Sequence, residues 1–265
     1  MYKTKYTKAA SIEKAVKKMG KAEDGKYLGG GMTLIPTMKQ RLAAPTNLID
    51  VTGIAELSGI SLKGNRLRIG AATTHAEVAA SADVQKACGA LSALASHIGD
   101  PQVRNRGTIG GSIANNDPAA DYPAAMIALG ASIITSNRTL AAEDFFNGLF
   151  ETALDEDEIV VAVEFEAPAK AAYKKFPNPA SRYAMAGVFV ARGGDGSVRV
   201  GVTGAGSDGV FRHGEMEKAL SENWDASAID GCSVDAGAML SDIHGDAEYR
   251  ANLVKVMAKR AVAAA

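Results

Sequence analysis

Two glycine-rich stretches constrain the fold of this chain more than any other feature of its sequence. The first, Gly29, Gly30 and Gly31, lies between a strand-like end at residues 27–28 and a helix-like start at residues 32–40. Glycines at a strand-to-helix turn let main-chain N–H groups converge on an anion, and the helix N-terminus adds partial positive charge. The stretch therefore predicts either a diphosphate site or a tight turn that needs positive φ.

The first stretch does not match the fingerprint of a Rossmann dinucleotide fold. That fingerprint, GxGxxG, needs its last glycine at position 34, where this chain has Leu34. Thr33 can add a hydroxyl to an anion site, whereas Met32 cannot donate a hydrogen bond. A Rossmann site is therefore not favoured.

The second glycine-rich stretch lies within residues 100–121, a segment with three glycines, two prolines and many polar side chains. It is longer than an ordinary connection, and long loops commonly carry function. Gly110 and Gly111 permit another close main-chain approach, and donors and acceptors are supplied by Thr108, Ser112, Asn115 and Asn116. A long dinucleotide needs more than one anchoring loop when no Rossmann crevice exists, so the two stretches together favour a dinucleotide site.

Asp121 closes the second stretch and has two interpretations. It follows a proline-containing turn, and it either caps the helix that runs to Leu129 or binds a ligand. Residues 173–183 form a third segment, in which Lys175 can meet a phosphate or a ring carbonyl and Tyr183 can lie against a planar ring. The alternatives for this segment are a solvated basic linker and a core tyrosine.

Apolar periodicity and turn signals predict an α+β fold. A small βαβ-like unit covers the first 50 residues, with Ser11 as a helix cap. Further strands are predicted at residues 57–61, 66–71, 131–135 and 158–166, and helices at residues 74–80 and 84–98. Residues 167–180 contain three prolines and mark the best domain boundary. Beyond it, strands at residues 183–192 and 198–204 and helices at residues 215–221 and 247–264 predict an antiparallel sheet with helices.

Composition excludes several classes of function. The chain has 29 basic and 30 acidic residues among 265, and this balance disfavours binding to nucleic acid. No stretch approaches the roughly 20 apolar residues of a membrane helix, and no secretory signal is expected. Two cysteines and four scattered histidines form neither a four-cysteine cluster site nor a zinc motif, so no metal site is predicted. These features predict a cytoplasmic protein.

Taken together, the three segments resemble one family: the FAD-binding medium subunits, or middle domains, of molybdenum hydroxylases, typified by carbon monoxide dehydrogenase and xanthine dehydrogenase. That family carries AGGxS-L-[IL]-P, then [TS]-I-G-G-N with a DPAxD-like turn, then YxK. The matching segments here are residues 29–36, 108–121 and 173–175. Their order and spacing agree with the family over the whole chain, and the second segment is the most specific.

The resemblance implies an FAD-binding domain of the PCMH type, which is vanillyl-alcohol-oxidase-like, over residues 1–168. Two small α/β subdomains, residues 1–53 and 54–168, would compose it. Residues 169–265 would form the C-terminal domain of carbon monoxide dehydrogenase flavoproteins, an antiparallel sheet with helices. FAD would bind non-covalently, and the residues implied to contact it are Gly29, Gly30, Gly31, Met32, Thr33, Leu34, Thr108, Ile109, Gly110, Gly111, Ser112, Asn116, Asp121, Lys175 and Tyr183.

The resemblance also implies partners and a role. A large subunit would hold the molybdenum cofactor, a small subunit would hold [2Fe–2S] clusters, and the complex would be a dimer of heterotrimers. Electrons would pass from the iron–sulfur subunit to FAD and then to an external acceptor, so no residue of this chain is expected to be a catalytic acid or base. Any association with the inner face of the membrane would come through the complex.

Four positions depart from the family pattern, and two other functions stay open. Gly29 replaces Ala, Met32 replaces His or Gln, Ser112 replaces Asn, and Arg182 stands where some relatives carry Asp. These departures bear on the flavin potential and the choice of acceptor. The alternative functions are a self-contained FAD-dependent reductase or oxidase and a flavin-binding module without enzymatic activity. Residues 100–106 are expected either to contact a partner or to form an ordinary solvent loop.

Overall fold

The computed structural model describes all of residues 1–265, and none of its helices is long and apolar enough to cross a membrane. In chain order the helices are α1 (Ile12–Met19), α2 (Leu34–Lys39), α3 (His75–Ala80), α4 (Ala82–Ser96), α5 (Pro101–Arg106), α6 (Ile109–Asn115), α7 (Asp121–Ala128), α8 (Ala142–Phe145), α9 (Gly214–Glu222) and α10 (Ala247–Val262). The strands are β1 (Lys5–Lys8), β2 (Gly25–Leu28), β3 (Asn47–Asp50), β4 (Ile60–Lys63), β5 (Arg66–Gly70), β6 (Ser132–Thr135), β7 (Thr139–Ala141), β8 (Phe146–Gly148), β9 (Glu151–Thr152), β10 (Val160–Glu166), β11 (Lys170–Pro177), β12 (Ala184–Arg192), β13 (Val198–Thr203) and β14 (Phe211–Arg212).

The N-terminal unit is a small sheet in the order β1-β3-β2. Both of its ladders are parallel, so the loops that follow its three strands emerge at the same edge. Ser11 caps α1 by accepting a hydrogen bond from the N–H of Lys14 at 3.2 Å, and Ala15 and Met19 of α1 are buried in the core of this unit. The βαβ-like unit expected from the sequence is confirmed.

A five-stranded antiparallel sheet in the order β4-β5-β10-β6-β7 forms the middle of the molecule. Residues of α3, α4, α6 and α7 pack with it in a core of 28 buried residues. Thr74 opens α3 with a capping box to Glu77. The long helix expected after it is present as α4, but it bends at Cys88, where φ is −157° and ψ is 85°.

Residues 100–121 are mostly helical, so the prediction of a long irregular loop was wrong. Asp100 caps α5 and Thr108 caps α6, and each side chain accepts a hydrogen bond from the N–H three residues later, at 2.8 and 3.1 Å. The glycine content of this segment weakens the sequence signal for α6, although Gly110 is required there by close packing. A Cβ on Gly110 would lie 2.4 Å from the Cβ of Ala71.

The C-terminal unit is an antiparallel sheet in the order β11-β12-β13-β14, with α9 and α10 on one face and α7 on the other. The strand β11 occupies most of residues 167–180, the segment in which the sequence predicts a domain boundary. Of its three prolines, Pro168 precedes the strand, Pro177 ends it and Pro179 follows it. At these positions a missing N–H removes little from the hydrogen-bond ladder.

The two larger cores meet across β12. Phe189 and Ala191 belong to the core of the middle unit, whereas Val188 and Val190 belong to the core of the C-terminal unit. This alternation is the period-two pattern of a strand that is buried on both faces. The division into residues 1–168 and residues 169–265 stays a prediction.

Candidate functional site

The two glycine-rich stretches lie against each other. A Cβ on Gly30 would lie 1.9 Å from the carbonyl oxygen of Arg106 and 2.7 Å from the Cα of Gly107. A Cβ on Gly29 would lie 3.2 Å from the Oγ1 of Thr108. The turn after β2 and the turn before α6 therefore form one continuous surface, and position 30 must be glycine for them to meet.

The first stretch presents a row of free main-chain donors. None of the five N–H groups of residues 29–33 donates a hydrogen bond to a protein acceptor. Gly31 has a φ of 72°, a left-handed conformation that occurs where successive N–H groups curve around an anion. Thr33 precedes α2 without using its side chain as a cap, Met32 is exposed, and Leu34 begins the helix. This arrangement can bind a diphosphate through main-chain N–H groups.

The second stretch has its main-chain donors already engaged. At the start of α6, the N–H of Ile109 donates to the carbonyl of Thr73 at 3.1 Å, and the N–H of Gly110 donates to the carbonyl of Ala71 at 2.9 Å. The N–H of Gly111 donates to the Oγ1 of Thr108 at 3.1 Å. Gly111 is exposed and Ser112 is half-buried. The start of α6 therefore offers a ligand no free main-chain donor, only the exposed surface at Gly111 and Ser112. The predicted contacts of Thr108, Ile109 and Gly110 with FAD stay predictions.

Asn116 ends α6 in the left-handed conformation, with a φ of 42°. Its side-chain amide donates to the carbonyl oxygens of Gly148 at 2.7 Å and Glu151 at 2.8 Å, both in the β8–β9 hairpin. Both amide hydrogens are therefore used to hold the hairpin on α6. The predicted contact of Asn116 with FAD would have to use its side-chain carbonyl oxygen.

Asp121 is the first residue of α7 and is only 5% exposed. Its carboxylate makes no capping hydrogen bond, so the interpretation of Asp121 as a helix cap was wrong. Instead, the phenol of Tyr173 donates to Oδ1 at 2.5 Å and the Nζ of Lys175 donates to Oδ2 at 3.1 Å. Burial raises the pKa of Asp121, and Lys175 and Tyr173 oppose that rise.

Lys175 is part of a strand and not of a solvated linker. Its side chain is 8% exposed, and its Nζ also donates to the carbonyl of His97, just past the end of α4, at 3.0 Å. Tyr173 lies two residues earlier on β11, on the same face, and no sequence pattern assigned it a role. Burial and the Asp121 carboxylate raise the pKa of Tyr173 well above its ordinary value, so the phenol keeps its proton and donates.

Tyr183 lies in the turn between β11 and β12 and is 46% exposed, so it is not a core tyrosine. The guanidinium of the preceding Arg182, whose φ is 64°, donates to the carbonyl of Gly99 at 3.3 Å. Burial raises the pKa of Tyr183, and the carboxylates of Asp117 and Asp121 raise it further. The ring of Tyr183 is half-exposed, so it can stack on a planar group.

His75 lies directly beneath the second stretch, and it was not among the residues predicted from the sequence. His75 is 4% exposed, a Cβ on Gly107 would lie 2.6 Å from its Nε2, and its ring centroid is 5.3 Å from that of Tyr122. Burial and the nearby cation of Arg104 lower the pKa of His75 to about 4. A single histidine after a helix cap gives no sequence signal for such a position.

Comparisons with known proteins identify the family. Residues 2–168 match the family described as the FAD binding domain in molybdopterin dehydrogenase. The carbon monoxide dehydrogenase medium chain of Hydrogenophaga pseudoflava is 35% identical over 98% of this chain and 96% of that protein. The nicotine 6-hydroxylase medium subunit of Paenarthrobacter nicotinovorans is 34% identical over 97% and 95%. The solved structure of reconstituted CO dehydrogenase from Oligotropha carboxidovorans has a TM-score of 0.90 at 33% identity, covering 99% of this chain and 98% of that chain.

The fold and the site define an FAD-binding flavoprotein subunit of the oxidoreductase class. This chain belongs to the family of FAD binding domains in molybdopterin dehydrogenases, and nearly its whole length is similar to medium subunits of molybdenum hydroxylases. The family resemblance and the PCMH-type FAD-binding fold expected from the sequence are confirmed. The contacts of individual residues with FAD stay predictions.

Replacing Gly111 by Val tests whether FAD covers the start of α6. Beyond the neighbouring residues and the main chain of its own helix, a Cβ at this position would meet the Oγ1 of Thr108 at 2.9 Å, so the apo fold should form with a modest loss of stability. The branched side chain would project from an exposed surface, and it should abolish FAD retention. Flavin content per chain and apo thermal unfolding check this, with Gly89→Val on the exposed face of α4 as the control. Full flavin content in Gly111→Val would show that α6 does not contact FAD.

Because the pKa of His75 is lowered, the neutral form of its buried ring is expected to stabilise the fold, and acid should remove this stabilisation. The folded chain resists protonation of this buried ring down to about pH 4, whereas the unfolded chain takes up the proton near its ordinary pKa of 6.5. The stabilisation is therefore complete above that ordinary pKa and declines as the pH falls towards the folded pKa, by on the order of 3 kcal/mol. His75→Gln should flatten this part of the pH dependence of the free energy of unfolding, measured by urea denaturation of apo protein. Equal pH slopes in the two proteins would contradict the prediction.

Proposed function

We propose that this chain is the FAD-carrying electron-transfer subunit of a molybdenum hydroxylase, taking electrons from an iron–sulfur partner and passing them to an external acceptor. The observation that carries the proposal is the row of free main-chain donors at residues 29–33, positioned by the contact of Gly30 with Arg106. Such a row in a glycine turn suits a diphosphate. Membership of the FAD-binding family supports FAD as the molecule that contains it.

The residues of this chain fit the three chemically different parts of FAD. Residues 29–33 would hold the diphosphate, and the exposed surface of Gly111 and Ser112 would lie on its other side. Asp121 would accept a hydrogen bond from the polyol chain, and the half-exposed ring of Tyr183 would lie against the flavin rings.

The chain's own task is to bind and orient the flavin. FAD, when bound, supplies a carrier that takes up electrons singly and delivers them as a pair. Asp121 and Lys175 neutralise each other, and Tyr173 keeps its proton, so none of these side chains is assigned as a catalytic acid or base. We therefore propose no catalytic residue on this chain.

We infer the partners from the relatives. The proteins that match over nearly the full length are named as a medium chain and a medium subunit. These names support a complex with a large and a small subunit. We propose that the large subunit binds the molybdenum cofactor, that the small one holds [2Fe–2S] clusters, and that the complex is a dimer of heterotrimers. The surface of α5 is the proposed contact with a partner, because none of its residues is buried and its last residue touches Gly30.

The full-length similarity to subunits supports this function over the two alternatives. A self-contained reductase or oxidase, or a flavin-binding module without enzymatic activity, is supported less well, because these relatives are named as subunits over nearly their full length. We also propose a cytoplasmic location, because both cysteines, Cys88 and Cys232, are free thiols, as is usual in a reducing compartment.

The purified chain should contain one FAD without a covalent link. Neither glycine-rich stretch contains a histidine or a cysteine to which a flavin could be attached. Acid precipitation should therefore release all of the flavin absorbance into the supernatant, at one flavin per chain. Yellow colour that remains with the denatured chain would contradict non-covalent binding.

The isolated chain should carry electrons but should hydroxylate no substrate. Two cysteines cannot ligate a cluster that needs four, so the natural reductant must come from another chain. Adding substrate to the FAD-loaded chain together with purified candidate partner subunits should bleach the flavin absorbance. The FAD-loaded chain with substrate alone should keep its absorbance, and bleaching without partner or metal would instead favour a self-contained flavoenzyme.

A further inference from the structure

The carboxylate of Asp121 is held by a phenol as well as by a cation. The hydroxyl of Tyr173 donates to Oδ1 of Asp121 at 2.5 Å, and the ring centroid of Tyr173 lies 6.2 Å from that of Phe189 on the neighbouring strand. Tyr173 and Phe189 are direct partners in the β11–β12 ladder. The phenol is therefore fixed at both ends, by its strand partner and by its hydrogen bond to Asp121.

Gly187 on β12 makes room for this phenol. A Cβ at position 187 would lie 2.4 Å from the Oη and 3.1 Å from the Cζ of Tyr173. Gly187 is paired with Lys175 in the ladder, so the tyrosine hydroxyl crosses over the one position of β12 that has no side chain. Any larger residue at position 187 would push the hydroxyl away from Asp121.

The donors are shared unequally between the two oxygens of Asp121. Oδ1 receives the phenol of Tyr173 at 2.5 Å and lies 3.0 Å from the Nζ of Lys175, whereas Oδ2 receives only Lys175, at 3.1 Å. A carboxylate oxygen has about two accepting positions. Oδ1 is therefore filled by the protein, and Oδ2 keeps one position for another donor.

We propose that Tyr173 is a positioning residue for Asp121: it occupies Oδ1, so that Oδ2 becomes the acceptor for a hydroxyl group of the flavin's polyol chain, and Gly187 makes room for it. This inference rests on the proposed function, because it takes FAD as the ligand. Without the phenol, Lys175 alone bridges both oxygens, and a buried carboxylate that has lost a donor takes up a proton more readily. Protonation would turn the acceptor into a donor.

Tyr173→Phe removes the hydrogen bond and keeps the ring. In titrations of apo protein with FAD, followed by flavin fluorescence, the affinity should fall on the order of tenfold at neutral pH, as expected when a hydrogen bond to a charged group is lost. The loss should grow as the pH is lowered, whereas the wild-type affinity should change less over the same range. A merely structural role for Tyr173 would lower the temperature of apo unfolding without this pH dependence.

Gly187→Ala supplies an independent test, because it keeps the hydroxyl but displaces it. This variant should lose FAD affinity to a similar extent as Tyr173→Phe. The double variant should bind FAD no more weakly than Tyr173→Phe alone, since phenylalanine lacks the oxygen that the new Cβ would meet at 2.4 Å. Gly89→Ala and Tyr249→Phe, neither of which changes a group bonded to Asp121, are the matched controls and should bind FAD as the wild type does.

The outcomes separate this inference from the proposed function. If Asp121→Asn weakens FAD binding but Tyr173→Phe does not, Asp121 binds FAD without the help of Tyr173, and the inference is overturned while the function stands. Additive losses in the double variant would also overturn it, because the two residues would then act separately. If the wild-type apo chain takes up no FAD at all, the proposed function fails, and the inference fails with it.

Discussion

The buried ion pair between Asp121 and Lys175 connects three parts of the molecule at one point. Asp121 begins α7 in the middle unit, Lys175 belongs to β11 in the C-terminal unit, and the same ammonium bonds the carbonyl of His97 just past the end of α4. Removing one partner of such a pair would leave an uncompensated buried charge, at a cost of about 3–5 kcal/mol. This contact therefore joins the start of α7, the strand β11 and the end of α4.

The two glycine-rich stretches meet, but glycine has a different purpose in each. In the first, it gives the main chain a left-handed turn at Gly31 and leaves the N–H groups of residues 29–33 unbonded. In the second, Gly110 removes a side chain where α6 packs on Ala71, and the N–H groups are consumed by the protein. The first stretch thus offers donors to a ligand, whereas the second stretch packs against the first and fixes its position.

The parts of the fold that were predictable from sequence are those with local signals. The cap at Ser11 and the apolar face of α1 are properties of neighbouring residues, and so is the hairpin between β12 and β13. The strand β11 was missed, because its burial depends on β12 and on helices distant in sequence. At the site, Asp121 and Lys175 were each identified, but their mutual contact was not, since it joins residues on separate elements whose packing no local pattern reveals.

The stability of the fold does not explain why the carboxylate of Asp121 is buried. Replacing a buried ion pair by well-packed apolar side chains is often neutral or stabilising, so retention of the charge calls for another reason. The polar groups that the fold leaves unbonded supply one: donors at residues 29–33 and an accepting position on Oδ2 of Asp121. Donors suit an anionic diphosphate, an acceptor suits a hydroxylated chain, and the ring of Tyr183 suits a planar flavin. FAD contains these three groups in that order, so the unsatisfied polar groups of the chain are complementary to the cofactor of its family.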